Sequence, residues 1–500
     1  MLNDFYKQFK SGTDIRGVAS EGVEGQSVNL TDDVVADMAD GFVLWLSKKV
    51  SKKPSELKIS VGRDSRISGP HIMKITTERF KRCGAEVLCC QLASTPSMFM
   101  TTVDLGCDGA LQITASHHPF NRNGLKFFTR EGGLEGSDIE EILLYAQNGE
   151  HPEESNGGNI TDVDYMSDYA KGLCEKIKKE VNAEDYEHPL KGFKIVVDAG
   201  NGAGGFYADK VLSVLGADTT GSRYLEPDGM FPNHVPNPEA KEAMDSICEA
   251  VRESGADLGV IFDTDVDRGG AVDSKGNEIN RNRLVAVAAA IALEGNDGGM
   301  IVTDSITSSG LKQFIENDLG GKHYRYRRGY KNVIDKALEL NAQGINCPLA
   351  IETSGHAAMR ENYFLDDGAY LCTKIIIKAA QMRKEGKELD ELTASLKEPL
   401  ESTEIRYKIL EKDFRACGEK IIADLTKYAE EQDGWCVVDD NREGIRVSFD
   451  RDNGDGWFLL RLSVHDPIMP LNVESDSEGG VKIICDKLGE FLKTTTGLDL

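Results

Sequence analysis

The chain has 500 residues, 40% of them hydrophobic, and sets 58 basic side chains against 84 acidic ones for a formal net charge of −26. That is more chain than one core usually holds, so several domains of roughly 100–150 residues are expected. The acidic balance repels nucleic-acid phosphates and anionic lipid and excludes both as partners, while eleven cysteines at scattered spacings exclude a disulfide framework or a zinc site and point to reduced thiols.

The N-terminal MLNDFYKQFKSGTDIRG lacks the basic and apolar regions of a signal peptide. The longest apolar run, Leu284–Leu293, is too short for a hydrocarbon core of about 30 Å and is expected as a buried helix. A soluble, cytoplasmic protein is expected. Three stretches share one pattern: LKISVGRDSRISGPH (57–71), FKIVVDAGNGAGGFYADKVL (193–212) and GMIVTDSITSSGLKQFI (299–315). Each begins as a short β-run that ends on an aspartate at a Gly/Ser-rich turn, and each continues with helical periodicity. This predicts three related α/β domains, over 1–160, 161–280 and 281–402. Residues 403–500 differ. GIRVSFD and GWFLLRLSVH read as two strands around an acidic hairpin, and a helical GGVKIICDKLGEFLKTTT follows, predicting a smaller C-terminal α+β domain.

Four constellations carry chemistry. ITASHHPFNRNGLKFF (113–128) places Ser116, His117, His118 and Lys126 on one loop and the start of the next strand. A Ser–His hydrolase pair is excluded, because adjacent side chains on a strand point apart and no G-x-S-x-G elbow surrounds Ser116. In VIFDTDVDRGG (260–270), Asp263, Asp265 and Asp267 alternate, so their carboxylates share one side of an extended segment. Like charges that close need a cation, and the spacing does not fit an EF-hand. An oxygen-rich site for one hard divalent ion, Mg²⁺, is expected there, the alternative being a solvated acidic turn. A phosphate on Ser116 would supply an oxygen to that ion, and Lys126 would offset its charge. IETSGH (351–356) offers Glu352 and Ser354 to sugar hydroxyls and His356 as an acid or base. Arg16, Arg268 and Arg461 stand beside Gly, Ser or Asp turns, where guanidinium groups suit phosphate.

TASHHP with NGLK, DTDVDR, ETSGH and RLSVHDP, in this order, resemble the motifs of the α-D-phosphohexomutase family, of phosphomannomutase/phosphoglucomutase type. GTDIRG, VGRDSRISG, VVDAGNGAGG and FPNHVPNPE extend the resemblance over nearly the whole chain. It implies three α/β domains and a smaller fourth around a central cleft, carrying in turn the phosphoserine, metal, sugar-reading and phosphate-binding loops. It further implies Ser116 as the phosphoserine and Asp263, Asp265 and Asp267 as Mg²⁺ ligands, with Ser116 completing the set. Arg16, Lys126 and Arg268 match basic positions around the phosphoserine, Lys126 and His356 being candidates for proton transfer. Glu352, Ser354, Tyr330, Lys331, Arg461 and Ser463 match substrate-contacting positions. The implied reaction interconverts hexose 1-phosphate and hexose 6-phosphate, glucose or mannose, with hexose 1,6-bisphosphate as activator and a monomer or homodimer as the working form. The alternatives are a phosphoglucosamine mutase and a weakly catalytic sugar-phosphate-binding protein. Two departures stand out. Thr264 and Val266 replace the glycines usual in the family's metal loop, which predicts a stiffer loop. In the last loop His465 stands where a threonine is common and Asn472 where an arginine is. His465 is expected to bind the substrate's phosphate and to gain a proton in doing so.

Overall fold

Strands Asp14–Val18 (β1), Lys58–Arg63 (β2), Glu86–Leu92 (β3), Gly109–Ile113 (β4), Arg122–Thr129 (β5) and Asn159–Asp162 (β6) align in the order β1-β5-β4-β2-β3-β6. Neighbours β4, β2, β3 and β6 run parallel, whereas β5 is antiparallel to both β4 and β1. The inner strands are buried on both faces, so they read as continuous apolar runs rather than as alternation. Helices Asp32–Val50 (α1), Gly69–Arg82 (α2), Thr95–Asp104 (α3) and Gly136–Gln147 (α4) accompany this sheet. Ser94 caps α3 by accepting the Ser97 N–H, and Pro96 occupies its first turn, where a missing N–H has no cost. Phe42 of α1 stacks on Phe127 of β5 with ring centres 4.4 Å apart, at the heart of the core.

After helix Tyr165–Val181 (α5), a second sheet joins Ile195–Asp198 (β7), Leu258–Phe262 (β8), Gly269–Val272 (β9) and Glu278–Ile279 (β10) in the order β10-β9-β8-β7. β7 and β8 are parallel. Lys241–Ser254 (α6) presents an apolar stripe to this sheet and stops at Gly255, whose φ of +65° suits glycine. These two sheets lie in one compact unit, Met1–Asn280 with Ser354–Ala358 and Leu365–Glu391; the remaining described residues, through Leu500, form a second. The computed structural model describes residues 1–463 and 466–500.

In the second unit the expected buried helix is Arg281–Leu293 (α7), apolar on nearly every side and buried accordingly. Parallel strands Met300–Thr303 (β11), Lys322–Arg325 (β12) and Leu349–Ile351 (β13) follow, β11 lying between the other two, with Tyr330–Ala342 (α8) before β13. The C-terminal sheet comprises Glu401–Ile409 (β14), Trp435–Val437 (β15), Ile445–Phe449 (β16), Gly456–Leu460 (β17), Ile468–Ser475 (β18) and Leu498–Asp499 (β19), ordered β15-β16-β17-β18-β14-β19. Helices Phe414–Glu430 (α9) and Gly480–Leu492 (α10) pack on it, and β16 and β17 are the antiparallel pair expected from the acidic hairpin. Three α/β sheets and a β-rich C-terminal domain bear out the fold class read from the sequence. Among the described residues no helix is long and apolar enough to cross a membrane, and all eleven cysteines are free.

Candidate active site

Each α/β sheet sends a turn from the carboxyl end of a parallel strand, and the three turns share a positive φ at one position. Thr114-Ala115-Ser116 follows β4, Thr264-Asp265-Val266 comes one residue after β8, and Thr353-Ser354-Gly355 one residue after β13. The third residue is left-handed in every case, with φ of +49° at Ser116, +68° at Val266 and +96° at Gly355. Glycine adopts this region freely; serine is disfavoured there and β-branched valine more so. The stiffer loop expected from Thr264 and Val266 is therefore a strained one, with Val266 fully buried in a conformation natural to glycine. The threonine anchor also repeats. Thr114 Oγ1 donates to Asp64 Oδ2 at 2.7 Å, and Thr353 Oγ1 to Asp304 Oδ2 at 2.8 Å. Both aspartates are fully buried, one residue past β2 and β11. In the middle sheet Asp198 takes Ser246 and His234 instead, and the Thr264 hydroxyl has no partner.

In the first unit these turns bring Ser116 to the acids. Ser116 Oγ lies 3.2 Å from Asp263 Oδ2 and 3.0 Å from Arg268 Nη2. Arg268 also donates to Asp263 at 2.8 Å, to Asn237 Oδ1 at 3.0 Å and to His117 Nδ1 at 2.8 Å. Burial and then Arg268 push the His117 imidazole down to about 2; burial and then Arg16 bring His118 to about 3. Both rings are neutral, so each can accept from a guanidinium, and Arg16 Nη1 reaches His118 Nε2 at 2.7 Å. Arg16 Nη2 is held by Asp14. Lys126 Nζ pairs with Asp267 Oδ2 at 2.8 Å, both groups buried.

Carboxylate oxygens of Asp263, Asp265 and Asp267 lie within 4.8 Å of one another. Asp265 Oδ2 accepts from Thr95 Oγ1, but Asp265 Oδ1 and Asp267 Oδ1 are buried without a hydrogen bond. Burial, then Asp267 and Asp263, drive the Asp265 carboxyl well above its usual range. Burial alone would do the same to Asp267, but the Lys126 ammonium, with His356 and Arg268, holds it far below. Two unsatisfied buried oxygens in an all-oxygen cluster suit a hard divalent cation.

His356 Nδ1 pairs with Asp366 Oδ2 at 2.6 Å and stands 3.9 Å from Asp267 Oδ1. Burial would lower this histidine; Asp366, then Asp267, raise it to about 9, so the ring is an imidazolium at neutral pH. Ser354 is buried, with its hydroxyl unpartnered. In the second unit Glu352 Oε1 accepts the Gly329 N–H at 2.5 Å, which fixes the turn that leads into Tyr330 and α8. Lys331 pairs with Asp335 on its own helix. Arg461 is buried and its Nε has no partner, while Ser463 Oγ accepts the Asp466 N–H at 3.3 Å. Asn472 donates to Glu404. His465 lies outside the described residues.

Sequence reasoning missed Asp366, Asn237, Thr95 and Arg66. Asp366 sits in FLDDGAY, which carries no catalytic signature, while Asn237 sits in FPNHVPNPE, a motif of the resemblance to which no role had been given. Asp64 and Asp304 had a signal, since each closes one of the repeated strand-and-turn patterns.

Three repeated α/β/α domains, a fourth β-rich one, and a serine held against buried acids define the class as an enzyme of phosphoryl transfer. The family models for phosphoglucomutase/phosphomannomutase, alpha/beta/alpha domains I, II and III, match residues 7–152, 168–276 and 280–399. A phosphoglucomutase of Neisseria meningitidis serogroup A is 26% identical, over 100% of this chain and 98% of its own. A phosphomannomutase/phosphoglucomutase of Pseudomonas aeruginosa is 28% identical, over 93% of this chain and 91% of its own. The crystal structure of a phosphoglucomutase/phosphomannomutase family protein from Burkholderia thailandensis superposes with a TM-score of 0.79 at 25% identity, covering 99% of this chain and 98% of that one. The chain belongs to the phosphoglucomutase/phosphomannomutase family of α-D-phosphohexomutases.

Proposed function

We propose that this enzyme interconverts hexose 1-phosphate and hexose 6-phosphate, glucose or mannose, through a phosphoserine at position 116. The observation that carries the reading is Ser116 itself, held left-handed with Oγ between the Arg268 guanidinium and the Asp263 carboxylate. The phosphoryl group leaves Ser116 Oγ for the free hydroxyl of the sugar phosphate, and the proton that this hydroxyl loses is balanced by the one that Ser116 Oγ gains. The bisphosphorylated sugar turns end for end, and Ser116 takes back the other phosphoryl group. Arg268, aimed at Ser116 Oγ, stabilises charge on the group in transit, and catalysis of this kind is mostly positioning and electrostatics. Arg16, oriented by neutral His118, adds a second guanidinium. His356, kept protonated by Asp366, is suited to act as the acid, and Lys126 is the alternative proton carrier. Mg²⁺, one ion per chain bound by Asp263, Asp265 and Asp267 with an oxygen on Ser116, would polarise a phosphoryl oxygen as a Lewis acid.

Glu352, Ser354, Tyr330 and Lys331 are proposed to read the sugar, and Arg461 and Ser463 to bind the phosphate that is not transferred. Hexose 1,6-bisphosphate is the proposed activator, a cytoplasmic monomer or homodimer the proposed form. Intact-mass analysis should find a fraction of molecules heavier by one phosphate, mapping to Ser116. With Mg²⁺ and bisphosphate present, glucose 1-phosphate and mannose 1-phosphate should turn over faster than glucosamine 1-phosphate. Ser116→Ala should lose turnover by orders of magnitude while keeping its fold. Wild-type turnover by Ser116→Ala would refute the reading.

A further inference from the structure

Arg66, in the turn after β2, is fully buried, and a buried guanidinium is costly unless its donors are used. Among the described residues its four Nη hydrogen bonds go to the loop that carries Ser116 and to the first residue of β5. Nη2 donates to the carbonyl oxygens of Ser116 and, at 2.6 Å, His118; Nη1 donates to those of Pro119 at 2.7 Å and Arg122 at 3.0 Å. Asp64 faces the guanidinium from its other side as an ion pair, Oδ2 lying 3.2 Å from an Nε that makes no hydrogen bond, and accepts the Arg66 N–H on Oδ1. The same Asp64 Oδ2 accepts from Thr114 Oγ1, which in turn accepts the Ser116 N–H at 2.9 Å. Ser116 is therefore gripped at both flanking peptide groups, its N–H by Thr114 and its C=O by Arg66. Because peptides are planar, fixing those two groups fixes φ and ψ of the residue between them.

The third sheet is an internal comparison. Asp304 and Thr353 reproduce the Asp64–Thr114 bond, but the left-handed residue there is Gly355, and Ile306 stands where Arg66 would be. Glycine holds that conformation without help, whereas serine does not. In the second sheet Val266 is left-handed with no arginine, its N–H donating to the Asp263 carbonyl at 3.3 Å and its C=O accepting the Gly368 N–H at 3.1 Å; at Ser116 the threonine and the arginine do that holding.

We propose that Arg66 is a positioning residue for phosphoryl transfer at Ser116: with Asp64 and Thr114 it locks the left-handed backbone that keeps Oγ between Arg268 and Asp263. The proposal rests on Ser116 being the phosphoryl carrier. Arg66→Lys keeps the charge but cannot fork to four carbonyls. Thr114→Val removes the hydroxyl, and Thr114→Ser keeps it. A nucleophile displaced by about 1 Å loses on the order of 100-fold in rate. Arg66→Lys and Thr114→Val should therefore lower kcat by about that factor, with KM for glucose 1-phosphate held within about three-fold. Single-turnover phosphorylation of Ser116 by glucose 1,6-bisphosphate should slow by the same factor, and Thr114→Ser should recover most of the loss. If Arg66→Lys does not fold, judged by its thermal midpoint, the Thr114 pair carries the test. Wild-type kcat in Arg66→Lys or Thr114→Val overturns the proposal, as does an equal loss in Thr114→Ser or a rise in KM at constant kcat. Ser116→Ala separates the two levels. If it is inactive while Arg66→Lys is normal, only this proposal fails; if it stays active, the reading of Ser116 fails.

Discussion

Lys126→Met removes one charge and keeps most of the side chain's length, at a site where that charge has few substitutes. Lys126 Nζ lies 2.8 Å from Asp267 Oδ2, and both side chains are almost wholly buried. Without the ammonium, Asp267 remains in a low-dielectric site beside Asp263 and Asp265, with Arg268 and His356 as its nearest remaining cations. Breaking a buried pair by removing one partner costs about 3–5 kcal/mol, because the other charge is left uncompensated. The sign with pH follows from Asp267, whose carboxyl is held far below its usual range. A depressed carboxyl contributes stability that is present above its unfolded value, near 4, and is lost only as pH falls through its folded value. In the variant that contribution is absent and the stranded carboxylate takes up a proton more readily. The stability gap should therefore be full at pH 7 and narrow as pH falls toward about 4. Urea titrations in chelator at pH 7, 6 and 5 measure it as a shift in midpoint at constant slope. Added Mg²⁺ should close part of the gap by supplying positive charge. Equal midpoints at pH 7, or a gap that widens in acid, would refute the reasoning.

Asp265→Asn removes a carboxyl that burial and its two neighbours push well above its usual range, so in chelator the variant should be at least as stable as the parent at pH 7. A raised carboxyl destabilises above its unfolded value, so the variant should also lose the parent's gain in stability on mild acidification. Calorimetric titration should show Mg²⁺ bound more than about 10-fold more weakly; wild-type binding would remove Asp265 from the ligand set. Asp366→Asn withdraws the anion that, ahead of Asp267, lifts His356 to about 9. The imidazolium should then lose its proton at lower pH, and the alkaline limb of kcat against pH should move downward from near 9. Identical limbs in both proteins would show that protonated His356 is not required.

What could be read from the sequence was local: strands that end on aspartate, Asp263, Asp265 and Asp267 two residues apart, and a serine loop without a G-x-S-x-G elbow, although Ser116 and His117 do not point apart as expected, their Oγ and Nδ1 lying 3.2 Å from each other. Strand ends and turn residues are visible because their chemistry acts over a few residues; the extended segment expected for the three aspartates is instead a turn, left-handed at Val266, in which their carboxylates still converge. The pairing of charges was not visible. Lys126 read as a counter-charge for a phosphate on Ser116, yet the fold sets it on Asp267, 141 positions away. Arg66 meets the Ser116 loop across 50 positions because β2 and β4 are hydrogen-bonded neighbours, an adjacency that sheet order decides. Asp366 drew no reading from the sequence, and only the fold shows it 2.6 Å from His356. Nor did the sequence betray that Ser116, Val266 and Gly355 all have positive φ, since three different residue types stand there. Local composition set which chemistry was on offer; long-range strand pairing and burial decided which acid faces which cation, because the energy of a charge depends on what surrounds it and not on its place in the chain.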